Sequence, residues 1–427
     1  MRNLYKYPIE DSNFENKLLV FTKKYKFSSY LISNKNNKDK YKKHQLIVAL
    51  GAQHILKSEQ DSFKKLSDFH KKHKDWIFGF LSYDLKNELE NISSQNKDNF
   101  KVPNLLFYVP EIILIIKDNI VEVHSSLSEN QGKDLLNKIR KENIIGLNRS
   151  NINLQFRENK HEYLQKIKDI KNHIQQGDIY EMNYCQELFA EDSTINSREV
   201  FWDLNNRSKA PFSVFFNFED NHLLCSSPER FLKKNGDKII SQPIKGTRKR
   251  GENKEEDIRL ISELENSEKD KSENVMITDL VRNDLSKTAK RASVKVEELF
   301  EVYTFERVHQ MISTISSQLD EKYNFVDVLK SSFPMGSMTG APKLKSMQLI
   351  EKYETTKRSV FSGAFGYITP CSDFDFNVVI RSILYNDISK YISVMVGGAI
   401  TINSDENQEY EECMIKSKAM RDVLNND

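Results

Sequence analysis

The sequence predicts an α+β fold, in which strands and helices are grouped instead of alternating. Strand-like runs cluster at 179–189, 212–218, 223–226, 231–233 and 238–242, and again at 359–368, 374–384 and 391–402. Helical patterns stand between and after these clusters, without the βαβ rhythm of a doubly wound parallel sheet.

The elements justify this in order. Residues 1–150 are rich in Lys and Asn, with the run KNNKDKYKKH at 35–44 and a basic cluster at 71–74. Both read as solvated loops and faces. Apolar runs at 76–83 and 105–116 show that this region still folds. From 158 the pattern sharpens. Tyr163, Ile167, Ile170 and Ile174 sit at helical spacing, and Gly177 closes that helix. Asn235-Gly236 fits the tight turn between the strands at 231–233 and 238–242. A helix patterned on Ile258, Ile261 and Leu264 follows, and a last helix starts near Asp405. The organisation expected is a variable region, 1–150, joined in one composite fold to a second region, 158–425.

Lys and Arg number 64 against 62 Asp and Glu, so the net charge is +2 over 427 residues. That balance gives no reason to expect nucleic acid or an acidic membrane as a partner. Cys185, Cys225, Cys371 and Cys413 lie far apart and form no zinc or redox motif. The aliphatic run at 112–116 is far too short to span a bilayer, and residues 1–10 lack a signal-peptide core. A cytoplasmic enzyme is expected.

Two acid-x-x-acid pairs stand out: Asp270 with Glu273, and Glu409 with Glu412 on the last helix. A three-residue step puts both carboxylates on one face, and Lys416 shares the face of the second pair. Magnesium takes one or two direct carboxylates and completes its shell with water and an anionic substrate, so such pairs suit it. Spacing alone is weak evidence, since acidic pairs on helices are usually just solvated and Glu412 with Lys416 can form a plain i,i+4 ion pair.

Three glycine-bearing segments accompany them. Lys245-Gly246-Thr247 lies in QPIKGTR, where a loop can aim N–H groups and a hydroxyl at an anion. Gly397-Gly398-Ala399 lies within an apolar strand, and glycines there mark close approach of a ligand to the backbone. FPMGSMTGAPK at 333–343 leads into a helix carrying Leu344, Met347 and Ile350, with Pro342 as its start signal.

These motifs resemble one family. QPIKGTRKRG, SENVMITDLVRNDL, FPMGSMTGAPK, FSGAFGYIT, FNVVIRSI, VGGAIT and EYEECMIKSKAM occur in the order seen in chorismate-utilising enzymes, over about 158–425. In the first region only GFLSYDLKNE, at 79–88, fits. The resemblance implies two large, orthogonally packed antiparallel sheets inside with helices outside. It implies Mg²⁺ on Glu273 and Glu412, with Asp270 and Glu409 supporting the ion through water. It places the carboxylates of chorismate on Arg381, Lys416, the Lys245-Gly246-Thr247 backbone and Gly397-Gly398-Ala399. Glu229 falls at the acid/base position for the departing 4-hydroxyl. His309 falls where relatives place a histidine tied to pyruvate loss, or is a structural histidine.

Within the family, Lys245 is the discriminating residue. The anthranilate- and isochorismate-forming branches usually carry Ala there, whereas the aminodeoxychorismate branch carries Lys. The resemblance then implies that Lys245 attacks C2 of chorismate, with its pKa lowered by burial, Mg²⁺ and Arg248. Ammonia is expected from a separate glutamine amidotransferase subunit, since no glutaminase motif is present. Ala399, Met335 and Lys249 depart from the usual pattern without removing a charged group. The alternatives are the anthranilate-forming branch, the isochorismate-forming branch and a non-catalytic chorismate binder.

Overall fold

The computed structural model describes residues 2–34, 39–146 and 151–425. The part of the basic run at 35–38 lies outside the described residues. Among them, two large sheets of antiparallel pairs form, 12-stranded and 10-stranded.

Three apolar layers explain why so many runs are apolar throughout instead of alternating. In the first sheet, Tyr30, Val48 and Leu114 face outward under helices, while Ile47, Ala49 and Ile113 face inward. In the second sheet, Leu105 and Phe107 face outward, while Phe78, Phe80, Leu106 and Tyr108 face inward. The inner layer is largely aromatic: Tyr108 of one sheet stacks on Phe216 of the other, with centroids 6.0 Å apart. The central strands are thus buried on both faces, as a period of two requires in a helix–sheet–sheet–helix stack, while edge strands such as Asn3–Pro8 and His54–Ser58 stay largely exposed. Burying one such side chain contributes about 1.5–3 kcal/mol.

The first 150 residues supply strands to both sheets, Phe27–Ile32 to the larger and Ile77–Leu81 to the smaller. Several runs that read as single strands are in fact two. The run at 105–116 divides at Pro110 into Leu105–Val109 of the smaller sheet and Ile112–Lys117 of the larger. The run at 374–384 divides into Phe374–Val378 of the smaller sheet and Ser382–Asn386 of the larger. The run at 359–368 is strand only at Ala364–Ile368. Hydropathy registers the two crossings poorly, because Pro110 at the first and Val379 at the second are as buried as the strands they separate.

The helices follow their patterns more closely. Lys160–Gln175 is closed at its start by a capping box between Asn159 and Glu162, and Gly177 follows its end with φ +81°. In Lys254–Glu265 the helix packs through Leu260 and Leu264, and Ile258 is exposed. In Lys343–Tyr353, Leu344 is likewise exposed while Met347 and Ile350 are buried. Among the described residues, no helix is long and apolar enough to cross a membrane.

Candidate active site

A cleft of about 470 Å³ opens where strands of both sheets meet the two acid-bearing helices, Glu268–Ser286 and Glu406–Asn425. Two crossings of the chain build its floor. One runs from Ser227, the end of a strand in the larger sheet, through Pro228 and Glu229 to Arg230 in the smaller sheet. The other runs back from Val378 to Ser382 and carries Arg381. They lie side by side: Ser226 N–H donates to the Arg381 carbonyl, and Val378 N–H to the Glu229 carbonyl, each at 3.0 Å. Arg381 has φ +51°, a left-handed conformation that costs a non-glycine residue about 1 kcal/mol. The surrounding pairing holds it there.

Glu229 is buried and lines the cleft. Ser337 Oγ donates to its Oε1 at 2.7 Å. Burial pushes its carboxyl up to about 7, opposed by the Ser337 hydrogen bond and the Lys245 charge. Glu229 can therefore carry a proton near neutral pH. Arg381 also lines the cleft, and its guanidinium has no hydrogen bond or ion pair among the described residues. Burial lowers its pKa, and Glu412 only partly opposes this. A half-buried cation without a partner is a site for an anion.

Lys245 enters on the strand Ile244–Lys249, whose pairing with Val308–Gln318 slips between Ile244 and Thr247. Gly246 takes φ +85° at this bulge, and a Cβ there would stand 2.9 Å from the Asp270 carboxyl carbon. The strand can thus approach the acid-bearing helix closely. Lys245 Nζ donates to Glu181 Oε1 at 2.6 Å and lies 4.0 Å from Glu273 Oε2. Burial alone would lower its pKa, but Glu181 and Glu273 outweigh burial and raise it. Arg248, expected to help lower it, instead pairs with Asp270 at 3.0 Å. The carboxylates around Lys245 thus favour its ammonium form, where the sequence expectation had burial, Mg²⁺ and Arg248 lowering its pKa.

The acids converge on one cation. Lys269 Nζ is 4.0 Å from Glu273 and 3.5 Å from Glu409, and the charges of Glu409, Glu273 and Glu412 together raise its pKa against burial. Glu409 is buried and accepts from Ser404 Oγ at 2.7 Å. Glu412 pairs with Lys416 at 2.6 Å, and that charge holds its carboxyl below the usual range. Lys416 Nζ also donates to the Gly397 carbonyl at 3.0 Å. Burial, aided by Glu181 and Asp270, raises Glu273 to about 7, with Lys245 opposing. Its Oε1 is buried without a hydrogen-bond partner.

This donor set suits a hard divalent cation. It offers only carboxylate oxygens, one of them orphaned, around a point where a cation already sits. Among the described residues, no three His, Cys, Asp or Glu side chains stand close enough to ligate an ion unaided. A metal here would need water and substrate oxygens to complete its shell, which is the habit of Mg²⁺.

Of the expected residues, Lys245, Gly246, Thr247, Glu229, Asp270, Glu273, Arg381, Gly397, Ala399, Glu409, Glu412 and Lys416 all line the cleft. Gly398 faces the last helix instead, 3.0 Å in Cβ direction from Glu409 Oε2. His309 is not brought to the cleft. Strand alternation points Val308 and Gln310 into it and buries His309 behind. There His309 Nε2 donates to Asp257 Oδ1 at 2.8 Å, and Nδ1 meets the Thr304 hydroxyl at 3.0 Å. His309 therefore does not line the cleft, and its contacts match the structural alternative that the sequence left open, bracing the smaller sheet. Sequence reasoning missed Glu181 and Lys269. A buried acid inside the apolar stretch 179–189 was the available signal for the first.

The chain belongs to the chorismate binding enzyme family, whose profile matches residues 15–422. It is 33% identical to aminodeoxychorismate synthase component 1 of Escherichia coli, over 79% of this chain and 74% of that one. It is 32% identical to the probable chloroplastic aminodeoxychorismate synthase of rice, over 84% of this chain but only 44% of the rice protein. The chain thus spans less than half the length of that relative. Among solved structures, anthranilate synthase component I of Streptococcus pneumoniae superposes with a TM-score of 0.79 at 24% identity, covering 88% of this chain and 91% of that one.

Proposed function

We propose that the chain is the chorismate-converting component of an aminodeoxychorismate synthase, forming 4-amino-4-deoxychorismate from chorismate and ammonia with Mg²⁺. The observation that carries this reading is the primary amine of Lys245 in the same cleft as the proton-bearing carboxyl of Glu229 and the unpaired guanidinium of Arg381. The similarity to the Escherichia coli component 1 supports it.

The residues divide the work by their chemistry. Arg381, Lys416 and the backbone N–H groups around Gly246-Thr247 and Gly397-Ala399 hold the two carboxylates of the substrate. Glu273 and Glu412 would hold Mg²⁺, with Asp270 and Glu409 behind them, and the ion would supply a Lewis acid beside a substrate carboxylate. Lys245 passes its ammonium proton to the ionised fraction of Glu229 and, now neutral, attacks C2. Both ring double bonds shift, C1=C2 to C1=C6 and C5=C6 to C4=C5, and the 4-hydroxyl departs as water with a proton from Glu229. Ammonia then adds at C4, both double bonds shift back, and Lys245 leaves C2 as a free amine. The excess proton of the new ammonium group returns to Glu229.

Ammonia would come from a separate glutamine amidotransferase. Of the four cysteines, Cys185, Cys225 and Cys413 are buried, with thiols pushed up by burial, so none of these three is a ready nucleophile. The test is product analysis of the purified chain with chorismate, Mg²⁺ and either ammonium or glutamine. The expected result is 4-amino-4-deoxychorismate with ammonium and none with glutamine alone. Anthranilate or isochorismate as the main product would reassign the branch.

A further inference from the structure

Among the described residues, the Lys245 side chain has one hydrogen-bonded partner, Glu181. Glu181 belongs to the strand Glu181–Ala190 of the larger sheet, while Lys245 belongs to the smaller sheet. Their 2.6 Å ion pair therefore bridges the two sheets at the cleft wall. Glu181 is 1% exposed and does not line the cleft, whereas Lys245 does. Its Oε1 receives the Lys245 ammonium, and its Oε2 is buried with no hydrogen-bond partner. Among the described residues, the carboxylate thus makes no hydrogen bond or ion pair besides that to Lys245, and beyond that pair it presents its charge to Glu273.

Its backbone is clamped. Ser346 Oγ donates to the Glu181 carbonyl at 3.2 Å, and Glu181 pairs with Ala341 across the short strand Gly340–Ala341. A Cβ on Gly340 would come within 2.1 Å of that carbonyl, so only glycine lets the strands approach this closely. A fixed acceptor at the end of a four-carbon side chain is what a lysine nucleophile lacks on its own. Lysine carries about 2 kcal/mol of rotamer entropy, and a misplacement near 1 Å can cost about 100-fold in rate.

We propose that Glu181 is the positioning residue for Lys245, fixing its Nζ at the cleft wall so that the chain's own amine, and not ammonia, reaches C2. The assignment rests on the reading of Lys245 as the nucleophile. It predicts that Glu181 acts on kcat and product identity through Lys245, whereas its charge on Glu273 shows only in the Mg²⁺ concentration needed, so the comparison is made at saturating Mg²⁺.

The experiment is a double-mutant cycle on the full chain with chorismate, Mg²⁺ and ammonium. It compares wild type, Glu181→Gln, Glu181→Leu, Lys245→Ala and the Glu181→Leu/Lys245→Ala pair. Glu181→Leu should lower kcat about 10- to 100-fold with KM for chorismate within about twofold, and raise the share of C2-aminated product. Glu181→Gln keeps an acceptor of the same shape without its charge and should recover part of that loss. In the Lys245→Ala background, Glu181→Leu should cost nothing further. Wild-type kcat in Glu181→Gln and Glu181→Leu would overturn the proposal, as would a full additional loss in the double variant. Should Glu181→Leu not fold, the isosteric Glu181→Gln decides alone, by a fall of about threefold or more in kcat at constant KM. Failure of the underlying reading looks different: Lys245→Ala itself would then keep the 4-amino product at wild-type kcat.

Discussion

Replacing Arg381 with Met separates binding from stability, because the two should move in different directions. In the wild type the guanidinium lines the cleft, is half-buried and has no partner among the described residues. Removing it strands no carboxylate: Glu412 keeps its 2.6 Å pair with Lys416. The unliganded protein loses an uncompensated cation and gains apolar volume, so Tm should stay level or rise by up to about 2 °C. The substrate complex loses one charge-assisted hydrogen bond, of about 1.5–3 kcal/mol, so kcat/KM should fall roughly 10- to 150-fold. Any L-residue at 381 meets the same left-handed φ of 51°, so backbone strain cancels in the comparison. The assay is steady-state turnover of chorismate with ammonium beside differential scanning calorimetry of the same samples. A Tm drop of several degrees with kcat/KM within about threefold of wild type would refute the reasoning, since the guanidinium would then be a structural group.

The remaining predictions concern Glu229 and Glu273. On the proposed reading Glu229 is the acid, with burial pushing its carboxyl up to about 7, so kcat/KM should fall as pH rises above about 7, and Glu229→Gln should abolish that limb along with most activity. The same shift has a stability consequence. The folded state binds the proton more tightly than the unfolded state, whose carboxyl titrates at 4.5, so this contribution is complete below 4.5 and is lost as pH rises through 7. Tm followed from pH 5 to 8 should therefore show a smaller decline in Glu229→Gln than in wild type, and an equal decline would count against the burial argument. Glu273→Gln should abolish Mg²⁺-dependent turnover and weaken Mg²⁺ binding by calorimetry while nearly keeping Tm, because its Oε1 makes no hydrogen bond among the described residues and its ion pairs with Lys245 and Lys269 are long, at 4.0 Å. Near-normal turnover of that variant in metal-buffered Mg²⁺ would remove Glu273 from the metal site.

The sequence made the element types legible where a period was present, and it failed where the chain changes sheets. Lys160–Gln175 and Tyr391–Ile400 lie nearly where their patterns placed them. The run at 374–384 looks continuous because Val379 is as buried as the strands on either side of it. That break sets Arg381 in the cleft, so the feature hidden from hydropathy is one the site depends on. The acids Glu273 and Glu412 were legible from spacing on their helices and the family motifs. Glu181 was hidden because an acid in a buried strand carries no periodic signature, and its meaning comes from a lysine 64 residues away. The departure of His309 from the site follows from strand parity, since one residue's shift along Val308–Gln318 exchanges the cleft face for the buried one.

The central claim is that the Lys245 amine, and not ammonia, makes the first bond to chorismate. Chromatographic and mass-spectrometric identification of the product formed by Lys245→Ala from chorismate, Mg²⁺ and ammonium tests it most directly. The account predicts that 4-amino-4-deoxychorismate disappears, and that any residual product carries its new group at C2. The same 4-amino product at an unchanged kcat would contradict it.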